Sequence, residues 1–239
     1  PLLIECQTPQ QLIETVRQLI ADQKTYILIG GGSNLVVSDA GLDVVVIRYF
    51  SSTPLIARTG NALTVSGSTI LDDLALFSVE EGLEGLVYTS GIPGTVGGAV
   101  VGNAGAWGKQ VGDVLLSARI LDHQGQEKTV DASYFQFSYR HSKLKESTDL
   151  VLEVTFKLNP GDPITLAQER AEILLKRHEK HPNLVTHPCA GSFFRNIEAT
   201  SKAEKRQAAG YFLEEAGGKN LHVGGAKIFD KHANIIVKG

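Results

Sequence analysis

The sequence predicts an α+β fold, because helical and strand patterns mix without the strict βαβ alternation of a doubly wound sheet. A triple glycine, Gly30-Gly31-Gly32, follows an apolar run at 25–29 and is followed by further strand-like runs rather than by a helix. Residues 118–122 and 127–130 form an expected hairpin around a polar turn, which indicates antiparallel pairing elsewhere in the chain.

The first helix begins at Thr8, whose hydroxyl is a suitable N-cap, with Pro9 in the first turn and Gln11 completing a capping box. Apolar residues then recur on one helical face. Strands are expected over 25–29, 35–37 and 44–47, with two short strands within 54–66 around a turn at 59–61. A second helix is expected over 69–81.

After the hairpin, residues 150–158 alternate as a strand does. Two prolines and a glycine within 159–163 mark a boundary, since they break any regular element. Helices are expected over 165–180 and 207–216, and strands over 226–229 and 234–237.

The composition is that of an ordinary globular protein, with 42% hydrophobic and 21% charged residues among 239. The net charge of −3 and the lack of a Lys/Arg run disfavour nucleic-acid binding. Cys6 and Cys189 form neither a CxxC motif nor a disulfide framework, which fits a reducing compartment. With no membrane-spanning run and no signal peptide recognised, we expect a cytoplasmic protein without a membrane partner.

The glycines indicate a ligand. Seven of the chain's 25 glycines fall within 91–108, and the triple glycine forms a second such loop. Clustered backbone N–H groups suit phosphate, so two glycine-rich loops suggest a phosphate-bearing ligand held from two sides. A P-loop is absent, and the dinucleotide fingerprint requires a following helix. A flat ring such as a flavin suits the bare backbone at Gly97-Gly98-Ala99. The alternatives are a tight β-turn for the first loop and close packing of two backbones for the second.

Two further segments carry chemically active side chains. Within residues 137–142, Arg140 is able to clamp a carboxylate or phosphate, although the composition also fits a solvated loop. Ser192, in a small-residue loop before two aromatics, is either a proton donor or a turn residue, and no GxSxG elbow is present. His178, His181 and His187 with Cys189 lack the ligand set of a zinc site, so no metal is expected.

Six segments together resemble the UDP-N-acetylenolpyruvoylglucosamine reductase family. They are Gly30-Gly31-Gly32-Ser33-Asn34-Leu35, Gly91-Ile92-Pro93-Gly94-Thr95-Val96-Gly97-Gly98-Ala99, Asn103-Ala104-Gly105-Ala106, Tyr139-Arg140-His141-Ser142, Ala190-Gly191-Ser192-Phe193-Phe194-Arg195-Asn196 and Lys231-His232-Ala233-Asn234. They occur in the family's order and span most of the chain. The first two alone would indicate only the wider vanillyl-alcohol oxidase type of flavoprotein.

The resemblance implies a two-subdomain FAD-binding unit, residues 1–55 and 56–159, and a C-terminal α/β substrate-binding domain, residues 160–239. It implies FAD as cofactor, NADPH as co-substrate and a UDP-sugar as substrate, in a monomer. The expected reaction reduces UDP-N-acetylglucosamine enolpyruvate to UDP-N-acetylmuramate for peptidoglycan precursor synthesis. The hard redox chemistry belongs to the flavin, while the protein binds and orients.

The resemblance also assigns roles to individual residues. Arg140 binds the substrate carboxylate and stabilises enolate-like charge, and Ser192 delivers the proton. The implied cofactor-binding residues are Gly30, Gly31, Gly32, Ser33, Asn34, Gly91, Ile92, Pro93, Gly94, Thr95, Gly97, Gly98, Asn103, Ala104 and Gly105. The implied substrate-binding residues are Tyr139, Lys180, Asn196 and His232.

The chain also departs from the family pattern. The usual opening segment is absent, and the family's catalytic glutamate is expected beyond Gly239, so we expect both ends of the chain to be missing from this sequence. No loop insertion is evident, which favours the shorter subtype. The alternatives are another FAD-dependent oxidoreductase of the same fold and a non-catalytic nucleotide-sugar-binding protein.

Overall fold

A computed structural model describes residues 2–199 and 205–238. Residue contacts divide the chain into two compact units. The first comprises residues 1–32 and 38–173, and the second comprises residues 33–37 and 174–239. The division within the last long helix lies between Ile173 and Leu174, and the three domains expected from the sequence stay a prediction.

The first unit contains most of the regular structure. Its helices are α1 Pro9–Ala21, α2 Leu71–Glu80, α3 Val96–Val101 and the first part of α4 Pro163–Lys180, which continues into the second unit. Its strands are β1 Leu2–Cys6, β2 Tyr26–Ile29, β3 Val45–Tyr49, β4 Ile56–Thr59, β5 Ala62–Ser66, β6 Leu83–Glu84, β7 Gly105–Ala106, β8 Lys109–Gln110, β9 Leu115–Leu121, β10 Glu127–Asp131, β11 Leu150–Lys157 and β12 Asn159–Pro160.

The N-terminal part of this unit is a three-stranded parallel sheet, ordered β1-β3-β2, with α1 packed on it. The predicted capping box is present, because Thr8 accepts from the N–H of Gln11 and the Gln11 side chain accepts from the N–H of Thr8. Leu12 and Val16 are fully buried on the predicted apolar face of α1. Burial of each such side chain contributes about 1.5–3 kcal/mol.

A five-stranded antiparallel sheet, ordered β10-β9-β11-β5-β4, lies between two hydrophobic cores. Because successive side chains of a strand point to opposite faces, the neighbours Val151 and Leu152 join different cores. Leu152 packs with α1 and the parallel sheet, whereas Val151 packs with α2 and α3. The expected mixture of helices and strands is therefore confirmed as an α+β fold.

The second unit is smaller. It contains the end of α4, helix α5 Ala209–Glu215, and an antiparallel sheet of β13 His222–Val223, β14 Ala226–Phe229 and β15 His232–Lys238, ordered β13-β14-β15. Ala233, Ile235 and Val237 alternate along β15 and are buried, which gives this unit its apolar face.

The structure corrects one sequence-based expectation and adds two elements that the sequence did not predict. Residues 35–37 form no strand among the described elements, and Val36 is 79% exposed, because this segment has no ladder partner. β1 precedes the first helix and was not predicted, since its pairing with β3 is long-range. Helix α3 forms inside the glycine-rich segment because Thr95 caps it. Within 2–199 and 205–238, no helix has the length and apolarity needed to cross a membrane.

Candidate functional site

The two glycine-rich loops lie side by side in the first unit. A Cβ placed on Gly30 would lie 2.4 Å from the Oγ1 of Thr95, so that hydroxyl must move before a larger side chain fits there. A Cβ placed on Gly31 would meet nothing closer than the Cα of Gly94, at 3.6 Å. The structure therefore brings together the two segments that the sequence singles out for a common ligand.

Backbone hydrogen bonds to the segment before α2 hold the second loop in place. The N–H of Leu71 donates to the carbonyl of Gly94 at 3.0 Å, and the N–H of Gly97 donates to the carbonyl of Gly67 at 2.9 Å. A Cβ on Gly97 would lie 3.1 Å from that Gly67 oxygen. Close packing of two backbones, one of the alternatives left open by the sequence, therefore accounts for glycine at 97.

An ion pair anchors the start of the same loop. Asp72, in the first turn of α2, accepts the N–H of Gly91 at 2.7 Å. Arg170 of α4 donates to both carboxylate oxygens of Asp72, at 2.7 and 2.9 Å, and its side chain is 12% exposed. Bidentate pairs of this kind fix geometry as well as adding energy. Sequence reasoning missed both residues, and the acidic start of the predicted helix was the only local signal.

Asn103 is buried, and its amide bonds to three protein groups. Its Nδ2 donates to the Oε1 of Gln110 at 2.9 Å and to the carbonyl of Ser138 at 2.8 Å. Its Oδ1 accepts the N–H of Gly112 at 3.0 Å. Both amide hydrogens are thus directed at protein acceptors. The predicted role of Asn103 in cofactor binding stays a prediction, as do those of Ala104 and Gly105.

Tyr139 and Arg140 form the tip of a tight turn in the first unit. Ser138 and His141 exchange two backbone hydrogen bonds of 3.1 Å, which close the turn. Arg140 has a φ of +56°, a left-handed conformation that is uncommon for a residue other than glycine. Its guanidinium is exposed and lies 5.5 Å from the centroid of the Tyr139 ring. The turn therefore presents a cation to solvent on a defined backbone.

Tyr88 is a buried residue beside Ala104, and the sequence did not identify it as part of the candidate site. Its Oη donates to the carbonyl of Ala104 at 3.5 Å. Burial raises the pKa of its phenol well above the usual value, and Asp113 raises it further, while the charge of Arg140 opposes both. Tyr88 therefore remains a neutral hydroxyl group at physiological pH.

In the second unit, Ser192 lies on an exposed segment held against β15. Its backbone forms a bridge with Ile235, and the N–H of Phe193 donates to the carbonyl of Asn234 at 3.0 Å. The buried side chain of Asn234 accepts from the N–H of Phe194 at 2.9 Å and donates to its carbonyl at 2.8 Å. Asn234 thus fixes the backbone beside Ser192. Ser33 and Asn34 also belong to this unit.

The predicted substrate-binding residues of the second unit differ in their surroundings. The Oδ1 of Asn196 accepts the N–H of Ala209 at 3.2 Å, at the start of α5. His232 is half-buried, and desolvation is the main cause that lowers the pKa of its imidazole, with Lys180 acting in the same direction and Glu214 opposing it. The charge of Lys180 thus adds to desolvation in favouring the neutral imidazole of His232.

Comparison with known proteins first identifies the class. A family model described as FAD binding domain matches residues 1–131. The crystal structure of a 6-hydroxy-D-nicotine oxidase from Arthrobacter nicotinovorans aligns with a TM-score of 0.51 at 18% identity, over 66% of this chain and 36% of that chain. At that identity the likeness concerns the fold alone. The chain is thus one of the proteins built on an FAD-binding domain.

More specific matches cover both units. The model of the UDP-N-acetylenolpyruvoylglucosamine reductase C-terminal domain matches residues 181–239. The reductase of that name from Carboxydothermus hydrogenoformans is 34% identical over 235 residues, 98% of this chain and 75% of the relative. The one from Streptococcus agalactiae serotype III is 34% identical over 212 residues, 89% of this chain and 67% of the relative.

A solved structure agrees with these relatives. The crystal structure of UDP-N-acetylenolpyruvylglucosamine reductase from Thermus caldophilus aligns with a TM-score of 0.80 at 29% identity, over 99% of this chain and 80% of that chain. The chain belongs to the UDP-N-acetylenolpyruvoylglucosamine reductase family. The resemblance inferred from the six sequence segments is confirmed.

Proposed function

We propose that this protein reduces UDP-N-acetylglucosamine enolpyruvate to UDP-N-acetylmuramate, with FAD as cofactor and NADPH as reductant. The observation that carries the proposal is the contact of the two glycine-rich loops within the domain matched by the FAD-binding model. Family membership supports the substrate. A cytoplasmic, monomeric enzyme of peptidoglycan precursor synthesis remains our expectation.

The glycine-rich loops fit a bound FAD. Added Cβ atoms at Gly31 and Gly98 would have no protein atom within 3.4 Å, so the protein itself leaves room for a side chain at both positions. Bare backbone at these two exposed positions suits the close approach of a cofactor. A bound FAD, held by the two glycine-rich loops, would supply the redox chemistry, which is the transfer of a hydride from NADPH to the β-carbon of the enolpyruvyl group.

Arg140 is proposed to bind the substrate carboxylate. Its exposed guanidinium is a permanent cation with a planar set of donors that matches a carboxylate. Hydride addition at the β-carbon places negative charge on the α-carbon and its carboxylate, and a fixed cation stabilises that charge. Tyr139, whose ring lies beside the guanidinium, restricts the orientations that Arg140 adopts.

Ser192 is proposed to donate the proton that the α-carbon receives. A serine hydroxyl is a weak acid, so it acts only towards the strongly basic carbanion formed after hydride addition. The product gains one hydride and one proton across its double bond, and NADPH is oxidised to NADP⁺. Lys180, Asn196 and His232 are proposed to bind substrate or nicotinamide cofactor, with Lys180 carrying the charge that suits a diphosphate.

The test follows the absorbance of NADPH mixed with the purified protein, with and without UDP-N-acetylglucosamine enolpyruvate. Substrate-dependent oxidation by a yellow protein is expected, and Ser192→Ala should lower kcat by about 10²–10⁴-fold without loss of the yellow colour. Thr186→Ala removes a different exposed hydroxyl from the second unit and serves as the matched control.

The alternatives give different results in the same assay. A yellow protein that oxidises NADPH into oxygen but ignores the substrate would be another flavin oxidoreductase of this fold. A colourless protein that retains the UDP-sugar would be a binding protein. Equal activity in Ser192→Ala and Thr186→Ala would remove Ser192 from the mechanism while leaving the reaction in place.

A further inference from the structure

Asn103 connects the glycine-rich segment to the turn that presents Arg140. It follows α3 in a left-handed conformation, with a φ of +43°, and is 1% exposed. Its amide spans from Gly112 on one side to the carbonyl of Ser138 on the other, at 3.0 and 2.8 Å. Ser138 is the residue whose backbone closes the turn around Arg140.

A second hydrogen bond ties the other end of this turn to α3. The hydroxyl of Ser142, fully buried, donates to the carbonyl of Val101 at 2.8 Å. Ser138 and Ser142 flank the turn, and both are bonded to the end of α3 or to the residues directly after it. The position of Arg140 is therefore set by the helix whose first turn carries Gly97 and Gly98.

The hydrogen-bonding pattern requires an amide at position 103. The side chain donates twice, to Gln110 and Ser138, and accepts once, from Gly112. A carboxylate supplies only acceptors, so aspartate would face the Ser138 carbonyl without a proton. Asparagine and aspartate tolerate the left-handed region alike, so the exchange leaves the backbone conformation accessible.

We infer that Asn103 is a positioning residue that holds Arg140 in register with the segment facing the cofactor. The inference rests on the proposed function, in which Arg140 binds the substrate carboxylate. It reassigns Asn103 from direct cofactor contact to the alignment of substrate against cofactor. A small misplacement of a binding group lowers the rate strongly, whereas binding of the cofactor itself depends on other residues.

The experiment measures reduction of the protein by NADPH and its reoxidation by substrate separately, in Asn103→Asp and in Ser142→Ala. Ser142→Ala removes the hydrogen bond from Ser142 to the carbonyl of Val101. Ser133→Ala, an exposed hydroxyl bonded to Asp131, is the matched control. FAD affinity of the cofactor-free protein and bleaching of the yellow absorbance by NADPH should stay within about twofold of wild type. Return of the colour on mixing with UDP-N-acetylglucosamine enolpyruvate should slow about 10–100-fold.

Each outcome decides the inference. If FAD affinity and the reaction with NADPH fall in Asn103→Asp as much as the reaction with substrate does, Asn103 acts at the cofactor site and the inference is overturned. Unchanged colour return in both variants would overturn it as well. If Asn103→Asp does not fold, Ser142→Ala decides alone. Wild-type protein that bleaches with NADPH but ignores the substrate would contradict the proposed function, and this inference with it.

Discussion

The two glycine-rich loops of the first unit differ in what surrounds their Cα atoms. In residues 91–108, the backbone excludes a Cβ at Gly105, where it would lie 2.6 Å from the Lys109 oxygen, and crowds one at Gly97, where it would lie 3.1 Å from the Gly67 oxygen. In the triple glycine, Gly31 has ordinary van der Waals space around a Cβ. Packing thus accounts for Gly97 and Gly105 in the denser loop, whereas it leaves Gly31 in the sparser loop unexplained.

The difference shows that glycine density does not by itself locate a ligand. The sequence suggested a shared ligand and left local explanations open, which were a tight turn for the first loop and close packing of two backbones for the second. In the structure, backbone packing explains some of the glycines of the second loop, namely Gly97 and Gly105. Glycines at which a side chain would fit the protein, Gly31 and Gly98, are the ones for which a ligand remains the physical reason.

The largest expected effect is on the folding of Gly105→Ala. Its Cβ would lie 2.6 Å from the backbone oxygen of Lys109, and a backbone atom cannot rotate away as a side chain does. The β7–β8 hairpin must open, which should lower the free energy of unfolding by about 1–3 kcal/mol. Urea unfolding of the cofactor-free protein measures this change.

Gly98→Ala is the matched control within the same loop. It lies in the first turn of α3, and the nearest atom to an added Cβ is the Thr95 hydroxyl at 3.6 Å. Alanine should leave the unfolding free energy unchanged or raise it by about 0.5–1 kcal/mol. Equal destabilisation of Gly98→Ala and Gly105→Ala would contradict the distinction between packed and open glycines.

An intermediate effect is expected where side chains, not backbone, anchor the second loop. Asp72→Asn keeps an acceptor for the N–H of Gly91 but removes the charge that pairs with Arg170. The unfolding free energy should fall by about 1–2 kcal/mol, and FAD affinity should fall because the loop start is held less firmly without the ion pair to Arg170. Glu80→Gln removes an exposed carboxylate at the other end of α2 and is the control. An equal loss of stability and FAD affinity in that variant would contradict a specific role for the Asp72–Arg170 pair.

Local sequence signals predicted the elements that local interactions determine. The capping box at Thr8, the β9–β10 hairpin and helix α4 are examples, because residues close in sequence decide each of them. Except for α3, which its neighbour Thr95 caps, the unpredicted features depend on partners far away in sequence. Arg170 reaches Asp72 from 98 positions along the chain, and Asn103 reaches Ser138 from 35. No periodicity or composition encodes such pairings.

For the candidate site, the sequence identified loops better than it identified what individual residues do there. The motifs located the glycine segments, the Arg140 turn and the Ser192 loop, all of which the structure describes. The direction of each side chain depends on three-dimensional packing. Asn103, grouped with cofactor-binding residues by its motif, directs its amide at Gln110, Gly112 and Ser138.

The smallest change in stability is expected for Gly31→Ala, and its comparison with Gly30→Ala tests the ligand most directly. Alanine at 30 places a Cβ 2.4 Å from the Thr95 hydroxyl that caps α3 through the N–H of Gly98. The Thr95 side chain must then rotate, and α3 loses its N-cap hydrogen bond, at a cost of about 1 kcal/mol. Alanine at 31 meets only ordinary contacts, so the unfolding free energy should stay within about 0.5 kcal/mol of wild type.

FAD titration of the two variants separates packing from ligand contact. If the backbone of Gly31 approaches the cofactor, its added methyl group must displace FAD although the apoprotein is intact, and FAD affinity should fall about tenfold or more. Gly30→Ala should lose stability and affinity together, since it disturbs Thr95 first. If the intact Gly31→Ala protein binds FAD as tightly as wild type, the cofactor does not approach Gly31. The glycine at this position would then be explained by the turn alone.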